Sequence, residues 1–500
     1  MTFAAMLEAL HGQVEILESR GNHGLSVSAI TDDSRFVQAG SVFVAVKGEQ
    51  SDGHRFIPAA MKAGMAALVL QQPATDLSVP FARVADSRKA LGLLGSRFYG
   101  EPSSKIRMIG VTGTNGKTTT TYVCKALLET LGRRVGLIGT VAYQIGKETI
   151  PASHTTPGAI ELQQLLAKMV AGGCTAAVME VSSHALAQDR TAGCEYDVAV
   201  FSNLTQDHLD FHKTMEEYFQ AKLRLFAGLT GTHKPNKRAI LNVDDPAGDR
   251  IQRLCPAPVW TYGLKTKADL RSENVRLSLG GTAFTAATPA GSFPVESQLV
   301  GEHNVYNLLA AIGVAIHEGA TPDQVRQAVA QVTNVPGRFE RVVAGQAFTV
   351  IVDYAHTEDA LVRLLTAAQT LKTGRIITVF GCGGDRDRGK RPKMGSAAVR
   401  YSDVVILTSD NPRTEDPLAI LLDVEAGVTD ALKGRPQVHY QKVADRREAI
   451  HMAVREARSG DMILIAGKGH EDYQIIGTKK FHFDDCEVAR EAIERLRTCA

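Results

Sequence analysis

Residues 112–119 read Thr-Gly-Thr-Asn-Gly-Lys-Thr-Thr, directly after the apolar run Ile106–Val111, and they open a helical pattern that runs to Leu131 and stops at Gly132. A strand that ends in a glycine-bearing turn and re-enters as a helix N-terminus is the first half of a parallel α/β unit. The same geometry is an anion cradle, because main-chain N–H groups and the helix dipole face whatever sits at the turn. Gly113, Thr114, Asn115, Gly116 and Thr119 form the cradle, Lys117 adds a full positive charge, and Thr118 offers a hydroxyl to Mg²⁺. The strict phosphate-loop spacing calls for glycine at 111, where Val111 stands, so the loop is a shortened variant. A nucleotide phosphate is the expected ligand.

Apolar strand-like runs alternate with helical patterns through most of the chain, which extends the α/β reading to the whole molecule. Three blocks separate, in keeping with 500 residues at about 150 per domain. The first covers 1–102, with strands at 41–46 and 66–70 and a helix from Ser87 to Tyr99 that breaks at Gly100-Glu101-Pro102. The second, 103–337, has strands at 106–111, 134–139, 175–181, 197–202 and 238–243, then a β-rich stretch at 290–301. The third, 338–500, has strands near 348–353, 375–380, 403–408 and 461–466. Each of these four strands is followed by a polar cluster: Asp353–His356, Gly381–Arg386, Asp410–Arg413 and Gly467–Glu471. In an open parallel sheet, ligands gather beyond the carboxyl ends of the strands, so the four clusters are expected on one rim.

Phosphoryl transfer calls for a metal ion between the β- and γ-phosphates, hence for hard ligands on strands beside the loop. Glu180 ends the apolar run 176–179, where a carboxylate needs a partner, and His208 follows the next strand. Either alone would more often be structural; together with the phosphate loop they favour a metal role. Lys222, among Glu216, Glu217 and aromatic residues, reads from its surroundings as a solvated helix lysine.

Fifty-six Lys and Arg against 54 Asp and Glu, without basic runs, exclude nucleic acid or an anionic membrane as the main partner. Seven cysteines, widely spaced and without a C-x-x-C pair, give neither a disulfide framework nor a structural zinc site. The N-terminus lacks a basic n-region, and no apolar stretch approaches the ~20 residues that span a bilayer. A cytoplasmic monomer is expected.

The ordered motifs Thr112–Thr118, Glu180–His184, Asn203–Asp210, Gly301–Asn307, Gly337–Glu340 and Asp353–His356 together resemble the Mur ligases over essentially the full chain. Gly381–Asp387, Asp410–Arg413 and Gly467–Asp472 resemble the members that add the third residue of the peptide. The resemblance implies an N-terminal UDP-binding domain, a central phosphate-loop ATPase and a C-terminal Rossmann-like domain that receives an amino acid. It implies ATP and Mg²⁺, with meso-diaminopimelate joined to UDP-N-acetylmuramoyl-L-Ala-D-Glu through an acyl phosphate. Ser34 and the turn Glu49-Gln50-Ser51 would meet the UDP end, although Glu49 is an odd neighbour for a pyrophosphate. Thr155, Thr156, Ser182, Gln188 and Arg190 would hold the dipeptide, and Asn304, Arg338 and Asp353 would serve ATP. Lys222 would be carbamylated and, with Thr118, Glu180 and His208, would ligate Mg²⁺. Lys117, Lys222 and His208 would thus carry the catalytic load. Asp410, Asn411, Pro412, Arg413, Arg386, Gly467 and Glu471 would surround the amino acid. Arg413 favours diaminopimelate because its planar fork can take the far carboxylate with two parallel hydrogen bonds. The rivals are a lysine-adding relative, a folylpolyglutamate synthetase, and a nucleotide switch that ligates nothing. The switch would not need the second polar rim. At 356–359 the chain reads His-Thr-Glu-Asp where the family often has His-Thr-Pro-Asp, and both versions suit the first turn of a helix.

Overall fold

The computed structural model describes residues 1–48, 51–230 and 234–498, which divide into two compact units. The first holds Met1–Leu204, Phe211–Leu270 and Ala310–Gln324; the second holds Thr205–Asp210, Arg271–Leu309 and Val325–Ala500.

Within the first unit, Ala29–Thr31, Ser41–Val44, Ala67–Leu70 and Phe81–Val84 run parallel, and Ile16–Arg20 closes the edge antiparallel. A larger sheet is built on Arg107–Thr112, with Ala176–Glu180 on one side and Val198–Phe201 on the other, all parallel. Val135–Ile138, Arg238–Asn242 and Val259–Gly263 extend it in parallel. Its central strands are fully buried apolar runs, the pattern of a sheet covered on both faces. Ala142–Ile145 and Glu148–Pro151 add an antiparallel hairpin that the alternating pattern does not announce. The helix Lys117–Thr130 opens at Gly116 and follows the loop directly, as the sequence indicates.

In the second unit a six-stranded sheet has the order Glu340–Arg341, Thr349–Asp353, Met462–Ala466, Ile376–Phe380, Val404–Leu407, His439–Lys442. The last five strands are mutually parallel, and only the first pair is antiparallel. Cores on both faces fill with Leu, Ile, Val and Ala, each large side chain contributing about 1.5–3 kcal/mol on burial. The β-rich stretch is the last arm of an antiparallel meander formed by Leu270–Ser278, Gly281–Thr288 and Gly291–Ser297. Among the described residues no helix is long and apolar enough to cross a membrane.

Candidate functional site

In the first unit the loop 112–116 is held from below by the neighbouring strand end. Asn203 accepts from Thr114 N–H through its carbonyl at 2.8 Å and from Asn115 N–H through Oδ1 at 2.9 Å. Ser202 Oγ donates to the Asn115 carbonyl at 2.6 Å. Gly113, at φ 151°, packs so closely there that a Cβ would overlap Ser202 Oγ. Lys117 Nζ donates to the carbonyls of Gly113 (2.9 Å) and Thr114 (2.8 Å), which curls the side chain back over the turn. Thr118 and Thr119, in the first turn of the helix, are buried.

Lys222 is not the solvated lysine that its sequence surroundings suggest. It is 1% exposed, donates from Nζ to the Gly113 carbonyl at 2.9 Å, and lies 4.3 Å from the centroid of the Tyr218 ring. Two ammonium groups, Lys117 and Lys222, thus meet at one carbonyl. The Tyr218 hydroxyl is 3.1 Å from Thr114 Oγ1, so its helix is fastened to the loop twice.

Glu180 pairs in register with Val111, which places its carboxylate beside the start of the loop. It is almost fully buried and has a protein partner that the sequence did not reveal: Thr140 donates its N–H to Oε1 at 2.8 Å and its hydroxyl to Oε2 at 3.0 Å. Thr140 also meets Thr155, Oγ1 to Oγ1, at 3.0 Å. Thr156 Oγ1 donates to the Glu180 carbonyl (2.8 Å) and accepts from Ser182 N–H (3.0 Å). Arg190 donates from Nε (2.9 Å) and Nη2 (2.5 Å) to Gln188 Oε1, and from Nη1 to the Thr156 carbonyl (3.1 Å). Thr155, Thr156, Ser182, Gln188 and Arg190 therefore form one connected patch around the Glu180 strand end. Thr140 lies just beyond the strand Val135–Ile138, the strand-end position at which a ligand-facing residue is expected in a parallel sheet.

Ser34 opens a short turn capped by Asp33. Glu49 and Gln50 lie outside the described residues, and Ser51 accepts from Gly48 N–H at 2.9 Å. A cavity of about 380 Å³ is lined by Lys47, Gly48, Gln71, Ala85, Asp86 and Arg88.

In the second unit the parallel order puts the four polar clusters on one edge, as expected. Asn411 Nδ2 donates to Glu471 Oε2 at 2.8 Å. The fully buried Lys468 reaches Asn411 Oδ1 at 3.4 Å, Glu471 Oε2 at 3.3 Å and the Tyr473 carbonyl. Gly467 has φ 118°, and a Cβ there would stand 2.6 Å from Asp410 Oδ2, so only glycine lets the two loops approach. Arg413, at φ 51° just after Pro412, donates from Nη1 to the Gly384 carbonyl at 2.7 Å. Arg386 is exposed and bonds its neighbour's carbonyl.

A second network, centred on Arg391 and Glu415 outside the motifs, fastens this edge. Buried Arg391 donates to Glu415 at 2.8 and 3.0 Å, and Glu415 accepts from Asp385 N–H at 2.6 Å. Arg391 first, then Arg388 and that N–H, hold the Glu415 carboxyl well below the usual carboxylate range.

Asp353 accepts from Phe339 N–H (2.7 Å) and Ala355 N–H (2.9 Å). Burial pushes its carboxyl above the ordinary range, against the pull of Arg338. Arg338 stacks 4.6 Å from the Tyr354 ring centroid. Asn304, near the start of Glu302–His317, bonds the Val300 carbonyl at 2.8 Å and Asn307 at 2.9 Å. His208 belongs to this unit, at φ 53° and 3.4 Å from Asp207. Among the described residues no three His, Cys, Asp or Glu are grouped to hold a metal ion.

A shortened phosphate loop on a parallel sheet, together with a charged rim on a second one, defines a nucleotide-using α/β protein. Known proteins narrow the class. The Mur ligase middle domain matches residues 111–315, the Mur ligase glutamate ligase domain 337–469, and the Mur ligase family catalytic domain 26–99. The UDP-N-acetylmuramoyl-L-alanyl-D-glutamate–2,6-diaminopimelate ligase of Geobacter metallireducens is 46% identical, covering 98% of each chain. Its counterpart from Geobacillus thermodenitrificans is 49% identical over 94% of this chain and 96% of its own. A solved structure of a ligase with the same name superposes with TM-score 0.72 at 35% identity, covering 99% of both chains. The chain belongs to the Mur ligase family.

Proposed function

We propose that this chain joins meso-2,6-diaminopimelate to the D-Glu carboxylate of UDP-N-acetylmuramoyl-L-Ala-D-Glu, with ATP converted to ADP and phosphate. Similarity to diaminopimelate-adding ligases over nearly the full chain carries the reading, and it agrees with the guanidinium that Arg413 supplies to the rim. The chain works as three domains, 1–102 for the UDP end, 103–337 for ATP and 338–500 for the amino acid, in step with the three matched segments.

The dipeptide carboxylate attacks the γ-phosphorus, the bond to ADP breaks, and an acyl phosphate forms. The diaminopimelate amine then attacks the acyl carbon, loses a proton, and phosphate leaves. Lys117 and the N–H groups of 113–118 hold the ATP phosphates and offset the repulsion between two anions. Thr155, Thr156, Ser182, Gln188 and Arg190 orient the dipeptide, with Ser34 and the turn 49–51 at its UDP end. Asn304, Arg338 and Asp353 serve the nucleotide. Asp410, Asn411, Arg413, Arg386, Gly467 and Glu471 enclose the amino acid.

Within the first unit, Thr118, Glu180 and a carbamylated Lys222 would supply the oxygen donors that Mg²⁺ takes. The ion is usually bound by one or two carboxylates plus phosphates and water, not by an all-protein cage. When bound, it neutralises charge on the transferring phosphoryl group. An unmodified Lys222 ammonium would repel the ion. Carbamylation reverses its sign and removes one of the two cations at Gly113.

Incubating the protein with ATP, the UDP-dipeptide and either meso-diaminopimelate or L-lysine, then weighing products by mass spectrometry, tests the reading. A diaminopimelate adduct is expected; a preference for L-lysine overturns the amino-acid assignment while leaving the ligase one.

A further inference from the structure

Arg446 is fully buried at the start of the helix Arg446–Glu456 and belongs to none of the motifs above. Its Nε donates to Asp485 Oδ1 at 2.8 Å and its Nη2 to Oδ2 at 2.6 Å, and Asp485 is itself fully buried. The same guanidinium also donates to two main-chain carbonyls, Nη1 to Ser409 at 3.3 Å and Nη2 to Ala466 at 3.1 Å. Those carbonyls follow Val404–Leu407 and end Met462–Ala466, strands that are not neighbours but flank Ile376–Phe380. Asp410–Arg413 begins one residue beyond the first carbonyl, and Gly467–Glu471 one residue beyond the second. The carboxylates of Asp410 and Glu471 also act favourably on the Arg446 charge. A buried ion pair is weak evidence for stability, since well-packed apolar residues often replace one without loss. Here the cation sits where it sets the distance between two loops.

We propose that Arg446 is a positioning residue for the amino-acid substrate. By bridging the Ser409 and Ala466 carbonyls it fixes the spacing at which Asp410, Asn411 and Arg413 on one loop and Glu471 on the other meet one ligand. Asp485 holds the planar fork in that orientation. The inference rests on the rim being the amino-acid site, as proposed above.

The test uses the full chain with ATP, UDP-dipeptide and diaminopimelate, each varied in turn, alongside thermal melting. In the double variant R446M/D485L the pair becomes apolar at similar volume, and the protein should still fold. Its KM for diaminopimelate should rise at least tenfold, while KM for ATP and for the UDP-dipeptide stays within twofold. R446K keeps the charge but not the fork, and should raise the same KM at least fivefold. A folded variant with wild-type KM for diaminopimelate, or with all three KM values raised together, overturns the proposal. If neither variant folds, the pair is a stability element and the proposal falls as well. R413A, assayed in parallel, separates the two readings. If it raises the KM and the Arg446 variants do not, only the positioning role fails; if none of them does, the rim is not the amino-acid site.

Discussion

The phosphate loop and the charged rim handle anions by opposite constructions. The loop is one contiguous run of eight residues, and its proposed hold on phosphate comes from main-chain N–H groups, a helix terminus, a glycine that no side chain could replace and the single charge of Lys117. The rim is assembled from four loops of a parallel sheet, and side chains brought from far along the chain set its shape. A main-chain site is rigid by geometry and reads only charge. A side-chain site can be retuned one residue at a time, which suits the part of a ligase that must tell one amino acid from another.

The strongest test of that contrast is Lys117→Ala. Product formation should fall by at least about a hundred- to a thousandfold, the loss seen when one charge-stabilising donor is removed. Thermal melting should hardly move, and near-normal turnover by the folded variant would sink the ATPase assignment.

Lys222→Ala follows, with activity lost and not restored by bicarbonate, because no amine remains to carbamylate. A high-resolution map with a bare amine in active, Mg²⁺-loaded enzyme would count against the modification.

Arg413→Ala should act on one substrate only. A charge-assisted hydrogen bond is worth about 1.5–3 kcal/mol, so KM for diaminopimelate should rise roughly ten- to 150-fold. Equal losses for ATP would erase the proposed division of labour between loop and rim.

The smallest effect belongs to Glu415. Arg391 holds its carboxyl below the ordinary carboxylate range, so its contribution is fully present above that range and is lost as pH falls through the folded value. Glu415→Gln should lower the melting temperature by a few degrees at pH 7, and the gap should narrow in acid. A gap that widens in acid would show that the Arg391–Glu415 network does not fasten the rim.

The loop was legible because its chemistry is local: strand, turn, lysine and helix stand in one stretch of sequence. The central strands could be read to within a residue or two, since runs buried on both faces leave uninterrupted Val, Ile and Ala. The hairpin Ala142–Ile145 and Glu148–Pro151 was not, because Gln144 interrupts the buried first strand and the second is mostly exposed, so neither leaves such a run. The four rim clusters were legible as strand ends, but their fastenings were not. Arg391 with Glu415 and Arg446 with Asp485 are arginine–carboxylate pairs whose closeness follows from how helices and loops distant in sequence pack in the fold. As letters they resemble any surface charge. Lys222 shows the same limit from the other side: its polar sequence neighbours suggested solvent, whereas the helix face it occupies turns inward against the Gly113 carbonyl.

The order of the second sheet also bears on how this chain emerges from the ribosome. Met462–Ala466 pairs with both Thr349–Asp353 and Ile376–Phe380, so the strand that joins them is translated long after they are. Until it arrives, two apolar strand edges have no partner, and exposed edges of that kind promote aggregation. A premature stop anywhere between Leu407 and Met462 should therefore yield a sticky fragment in place of a smaller working domain. Completion of the second sheet waits on the translation of Met462–Ala466.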